Sequence, residues 1–187
     1  TLGKGFGNGF PVTAMLVGPG FGMKETSGDF IEMLLKGYTA PKRGSSRIGF
    51  VQEDRTAYGA AYPLPHLVVD ADGLKLLAKV DDWHNLLPAD TILTPHPGEM
   101  AVLTGLKVEE VQADRREIAA QYARKWNQVV VLKGAFTVIA APDGRTTTIP
   151  VATPALARAG TGDVLAGLVV GLRAQGMGAY DAAVAGA

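Results

Sequence analysis

Four short apolar runs recur along the chain: Ala14-Met15-Leu16-Val17, Leu67-Val68-Val69, Thr91-Ile92-Leu93 and Val129-Val130-Val131-Leu132. Runs this short and this apolar suit strands covered on both faces, as in a parallel sheet. Each ends in a glycine, an acid, a proline or a lysine. The first three are followed by segments of helical period: Asp29 to Lys36 with Phe30, Met33 and Leu34 inward, a helix opening on Leu74, Leu77 and Ala78, and a helix from Pro97 to about Thr104. Asp114 to Trp126 is a further amphipathic helix, with Ile118, Ala119, Tyr122, Ala123 and Trp126 on one face. After the fourth run, Phe136 to Ala140 and Thr146 to Val151 flank Pro142-Asp143-Gly144 as a hairpin. The order is strand, loop and helix four times, then the hairpin, then a last helix. It predicts an α/β fold: one doubly wound, mostly parallel sheet, helices on both faces, a β-hairpin near the C-terminal third and an open ligand edge.

The last helix follows Ala159-Gly160-Thr161-Gly162-Asp163. Val164, Leu165, Leu168, Val169 and Leu172 fall at helical spacing, which starts the helix at or near Asp163. A helix start presents unpaired N–H groups and the positive end of the dipole. Glycines at 160 and 162 let an anion approach those groups. Gly160, Thr161 and Gly162 therefore read as an anion hole with the Asp163 carboxylate beside it, a plan that suits phosphoryl transfer. The plainer alternative is a tight turn in which Asp163 caps the helix.

Other strand ends carry candidate chemistry. Gly18-Pro19-Gly20-Phe21-Gly22 is either a place of backbone approach to a ligand or a turn. Asp70 and Asp72, two apart, face one side if both lie on a strand, where they suit a ligand or a Mg²⁺ shell; the alternative for Asp72 is a helix cap. His96 lies between Pro95 and Pro97, which fix the backbone and hold the ring in one direction, available to a substrate amide, hydroxyl or phosphate. Pro97 at the first helical position and Glu99 in the first turn favour a helix there. Lys133 and Gly134 between two strands suit a polyphosphate or nucleotide contact, or an ordinary surface lysine.

Bulk properties narrow the partners. Eighteen basic residues balance 18 acidic ones, with no basic stripe, which argues against nucleic acid. No apolar run approaches the roughly 20 residues of a membrane span, and no signal-peptide layout is present. The absence of cysteine excludes disulfides and fits a reducing, cytoplasmic setting. The apolar, glycine-rich character allows a homo-oligomer. Residues 1–11 read as a glycine-rich loop and 37–66 as an extended surface insertion without assigned chemistry. The chain starts at Thr1 without Met and ends at Ala187 inside a predicted helix, so a truncated chain is expected.

Five runs together resemble one family, the ADP/ATP-dependent NAD(P)H-hydrate dehydratases of the ribokinase-like superfamily. They are Leu16-Val17-Gly18-Pro19-Gly20, Val68-Val69-Asp70-Ala71-Asp72-Gly73-Leu74, Leu93-Thr94-Pro95-His96-Pro97-Gly98-Glu99, Val131-Leu132-Lys133-Gly134-Ala135 and the segment from Ala155 to Gly167 containing Gly160-Thr161-Gly162-Asp163. The last places the chain in the superfamily, and the Thr-Pro-His-Pro-Gly-Glu run is the specific one. The resemblance implies a single ribokinase-like domain over 1–187, without the family's N-terminal part and C-terminal end. It implies a lyase that repairs NADH or NADPH hydrated at nicotinamide C6. The C6 hydroxyl is phosphorylated from ADP or ATP with Mg²⁺, and phosphate is then eliminated. By family position Gly20, His96 and Asp163 contact the hydrated dinucleotide; Lys133, Gly134, Ala135, Phe136, Thr137 and Gly162 contact the adenine nucleotide. Asp163 is the expected catalytic base for the attacking hydroxyl. The alternatives are a ribokinase-like kinase of a small vitamin-type alcohol and a catalytically degenerate nucleotide-binding protein.

Overall fold

The computed structural model describes residues 12–36, 64–153 and 158–187. Most of the expected insertion at 37–66, and residues 1–11, lie outside the described residues. Within them the chain runs β1 (Ala14–Val17), α1 (Glu25–Lys36), β2 (His66–Val69), α2 (Asp72–Leu77), α3 (Trp83–Leu86), β3 (Ile92–Leu93), α4 (Pro97–Thr104), α5 (Val108–Ala113), α6 (Arg115–Trp126), β4 (Val129–Leu132), β5 (Val138–Ala140), β6 (Thr146–Thr148), α7 (Thr161–Ala174) and α8 (Ala179–Gly186).

The six strands form one sheet in sequential order, β1 to β6. β1 to β4 are parallel, with Val17 opposite Val69, Val69 opposite Leu93 and Leu93 opposite Val130. β4, β5 and β6 then pair antiparallel, with Leu132 opposite Val138 and Val138 opposite Thr148. Successive strand side chains point to opposite faces, and both faces are covered. Leu67, Val69, Leu93, Val130 and Leu132 pack with Ile31, Leu74, Met100, Tyr122 and Trp126 from α1, α2, α4 and α6. Val68, Ile92, Val129, Val131 and Ile139 pack on the other side with Val169, Ala179, Ala182 and Ala183 of α7 and α8. This is the doubly wound α/β plan, with the β5–β6 hairpin in the expected place.

The differences are local. α1 starts at Glu25 rather than Asp29; Ile31 is its buried residue, and Phe30 and Met33 are more than 40% exposed. Phe30 instead meets the half-buried Phe21 edge-on, with ring centroids 5.6 Å apart. No helix separates β4 from β5: the chain reverses directly through Lys133–Thr137, so the fourth strand–helix unit is absent. Phe136 lies in that reversal with φ +56° rather than in a strand, and the return strand stops at Thr148 rather than Val151. α7 starts at Thr161, two residues early, and its N-cap is Gly160 with φ +90°. Two short helices, α3 and α5, are additional to the expected elements.

The carboxyl ends of β1 and β2 are joined by backbone contact at two glycines. A Cβ on Gly18 would lie 1.9 Å from the Asp70 carbonyl oxygen, and one on Gly73 would lie 2.8 Å from the Val17 carbonyl oxygen. Gly18 also has φ +124°. Gly18→Ala is expected to lower unfolding free energy by about 3 kcal/mol, through strain and overpacking together. Urea denaturation measures it, with Gly28→Ala, in open space on α1, as the tolerated comparison.

Candidate active site

The ends of the parallel strands deliver the polar groups. Beyond β2, Asp70 is 1% exposed, and its Oδ1 lies 2.5 Å from Nζ of Lys133, the first residue beyond β4. β3 lies between them, and its extension binds both neighbours: Thr94 N donates to Val69 O at 3.1 Å and Lys133 N donates to Pro95 O at 2.8 Å. Glu99, in the first turn of α4, is also buried. Its Oε2 accepts from His96 N at 2.9 Å and lies 3.8 Å from Lys133 Nζ. One ammonium thus faces two buried carboxylates, an arrangement that keeps charge in the interior only when paired.

His96 is the N-cap of α4. Its Nδ1 accepts from Gly98 N at 3.0 Å and from Glu99 N at 3.2 Å, closing a capping box with Glu99. An Nδ1 that accepts leaves the neutral ring's hydrogen on Nε2, which lies 3.3 Å from Glu99 Oε1. The ring is therefore oriented by the helix start as well as by its two prolines, and it remains about half exposed. A Cβ on Gly98 would meet the ring at 2.9 Å, so that glycine leaves room for the orientation.

α7 supplies the third side. A Cβ on Gly162 would lie 3.5 Å from Lys133 Nζ and 3.9 Å from Asp70 Oδ2. The first turn of α7 therefore abuts the ion pair. Gly160 has no side chain to cap the helix, and Asp163, in the first turn, is exposed. Beside this junction opens a cavity of about 800 Å³. Its wall includes Lys133, Gly134, Ala135 and Thr137 from the β4–β5 turn, Val151 to Thr153, and Thr161, Gly162 and Leu165 of α7. Val164 and Leu168 of the apolar-periodic set are 63% and 54% exposed and border this cavity.

Five of the six residues expected at an adenine nucleotide share this wall. Phe136 does not: its left-handed backbone turns it out of the wall, and it is 53% exposed. Thr161 and Gly162 of the expected anion hole border the cavity; Gly160 and Asp163 lie outside its wall. Gly20, with φ +73° and open space around it, sits in the turn after β1, on the same strand-end edge as His96.

Asp70 and Asp72 do not share a strand face, because β2 ends at Val69. Asp72 opens α2 without capping it and turns away, accepting from Gly22 N and from Lys75 Nζ, each at 3.1 Å. Nor do the carboxylates build a metal cage: among the described residues no group of three His, Asp or Glu side chains is arranged to hold an ion. Asp70 and Glu99 are committed to Lys133 and His96. Glu99, expected only to favour the helix start, and Arg115, with no expected role, both prove to hold the strand ends. The former was legible as one half of a capping box; nothing in the local pattern marked the latter.

A model of the NAD(P)H-hydrate dehydratase family matches residues 48–187. The chain belongs to that family. Over 173 residues it is 40% identical to the bifunctional NAD(P)H-hydrate repair enzyme of Salinibacter ruber, covering 92% of this chain and 27% of that one. It is 42% identical over 123 residues to the ADP-dependent (S)-NAD(P)H-hydrate dehydratase of Neisseria meningitidis, covering 65% of this chain and 42% of the relative. The crystal structure of the Bacillus subtilis ADP/ATP-dependent NAD(P)H-hydrate dehydratase, co-crystallised with ATP/Mg²⁺, superposes with a TM-score of 0.68 at 30% identity, over 93% of this chain and 52% of that one. A ribokinase-like superfamily protein from Enterococcus faecalis shares the fold with a TM-score of 0.63 at 23% identity, over 93% of this chain and 51% of that one. The fold is thus the ribokinase-like α/β fold, and the chain spans about a quarter of the bifunctional relative and about half of the solved structures.

Removing the ammonium strands a buried carboxylate. Lys133→Met is expected to lower stability by about 3 kcal/mol, more than Asp70→Asn and Lys133→Met combined in one chain, because the double variant leaves Glu99 alone without the ammonium rather than two buried carboxylates. Equilibrium unfolding of the three chains decides it; a single Lys133→Met variant as stable as the unsubstituted protein contradicts the pairing.

Proposed function

We propose that the chain carries the nucleotide-binding and reacting parts of an enzyme that dehydrates hydrated NADH or NADPH at the expense of ADP or ATP, in the cytoplasm. One observation supports this above the rest. The glycine-opened start of α7 meets Lys133 and Asp70 at the edge of a cavity walled by the residues expected at the nucleotide. The ADP-dependent activity in the Neisseria relative's name and the ATP/Mg²⁺ in the Bacillus structure agree with it.

In this reading the adenine nucleotide lies along Lys133 to Thr137 with its phosphates toward Gly160, Thr161 and Gly162. Backbone N–H groups at a helix start stabilise the charge on a phosphoryl group in transit. Lys133 adds a fixed positive charge whose position Asp70 and Glu99 set. The hydrated nicotinamide lies toward Gly20 and His96. Asp163, exposed at the helix start, accepts the proton of the C6 hydroxyl as its oxygen attacks phosphorus. The phosphate ester then leaves as phosphate, with loss of a ring proton, and the nicotinamide double bond returns. Mg²⁺, when bound, offsets phosphate charge.

Recovery of nicotinamide absorbance from hydrated NADH with ADP and Mg²⁺ tests the reading. Asp163→Asn is expected to lower turnover about a thousandfold while ADP affinity is kept. Equal turnover in the variant removes Asp163 from the chemistry. No recovery by the unsubstituted protein ends the reading, and a stable phosphorylated product without elimination turns it toward a kinase.

A further inference from the structure

Against the β4–β5 turn, and outside the wall of the cavity, lies Arg115. It is the first residue of α6, whose N-cap is Asp114. Its Nη2 donates to Leu132 O at 2.9 Å and to Lys133 O at 3.2 Å; its Nη1 donates to Gln112 Oε1 at 2.9 Å. No carboxylate pairs with it among the described residues, and its buried Nε has no hydrogen-bond partner. Burial holds its pKa below the ordinary arginine value. A half-buried guanidinium with no counter-ion is thus spent on two consecutive carbonyls of one turn.

The consequence is in the peptide plane. The bond between Lys133 and Gly134 is trans, so its C=O and N–H point in opposite directions. With the carbonyl turned to Arg115, the Gly134 N–H faces away from the guanidinium. The cavity lies there: Lys133 and Gly134 line it and Arg115 does not. The Gly134 carbonyl is also held, by Thr137 Oγ1 at 3.0 Å, whereas its N–H has no partner among the described residues. Gly134 has φ +143°, and a Cβ there would lie 2.8 Å from Arg115 Nη1, so a side chain at 134 would be strained and would push the guanidinium from its place.

We infer that Arg115 is a positioning residue that aims the Gly134 N–H into the cavity as a donor to a phosphate oxygen of a nucleoside di- or triphosphate. The inference rests on the nucleotide reading of that cavity. Arg115 touches no ligand itself; it acts through the peptide it orients, and its positive charge against the turn adds to the attraction for an anion.

ADP is the probe. Calorimetry on the unsubstituted protein, Arg115→Met and Arg115→Lys is paired with the amide resonance of Gly134 in each, with and without ADP. Losing one hydrogen bond to a charged group is expected to weaken ADP binding about tenfold in Arg115→Met. Arg115→Lys, which keeps a buried cation and a donor, is expected to fall between, and it carries the test if the Met variant does not fold. The Gly134 amide is expected to move downfield with ADP in the unsubstituted protein and to stay in place in Arg115→Met. KM for the hydrated dinucleotide is expected to be unchanged. Unchanged ADP affinity and an unchanged Gly134 response in both variants overturn the inference and leave the nucleotide reading standing. Equal weakening toward ADP and the dinucleotide also overturns it, by showing a general structural role. An unsubstituted protein that neither binds ADP nor moves its Gly134 resonance overturns the nucleotide reading, and the inference with it.

Discussion

A single ammonium group holds the polar edge of this fold together. Lys133 reaches from the end of β4 across the end of β3 to a carboxylate that is almost wholly withdrawn from water, with Glu99 as a second negative neighbour. Two buried carboxylates side by side repel each other, and burying such charge is costly unless a cation is paired with it. The lysine meets that requirement, and in doing so it ties three parallel strands and the start of α4 into one polar unit.

From that unit the order spreads in two directions. Through Glu99 it reaches His96, whose ring is pinned by the helix it caps and by the carboxylate that helix carries. Through the contact with Gly162 it reaches α7, whose first turn has no side-chain cap at its N-terminus. His96, expected to face the dinucleotide, and Lys133, expected to face the nucleotide, are therefore linked through the buried Glu99. The apolar layers beneath, α1 to α6 on one face of the sheet and α7 and α8 on the other, fix where the strand ends stand and so where this network forms.

Much of this was legible in the sequence, because short apolar runs ending in polar or glycine turns have few places to go. β1, β2, β3 and β4 were readable from composition alone, and α4 from Pro97 and Glu99. The run from Gly160 to Asp163 marked the helix start to within two residues. What escaped was set by tertiary neighbours. Of the residues expected inward on α1, Leu34 packs against the core, whereas Met33 is exposed and Phe30 has its partner in Phe21. Asp70 and Asp72 would share a face only on a strand, and β2 ends before both; what separates them is their partners, Lys133 for one, Gly22 and Lys75 for the other. Phe136 adopts a left-handed backbone that no propensity favours for an aromatic residue, and so leaves the strand pattern. Arg115 looked like any charged residue at a helix start; only the path of β4 shows which carbonyls it serves.

The central claim is spatial: a phosphoryl group is held where the start of α7 meets Lys133. A crystal structure with ADP bound measures it most directly. The account predicts the β-phosphate within hydrogen-bond reach of the backbone amides of residues 160–162, with Lys133 close by and the Asp163 carboxylate facing the terminal phosphorus. Phosphates seated elsewhere, away from those amides and with Asp163 directed into solvent, would contradict it.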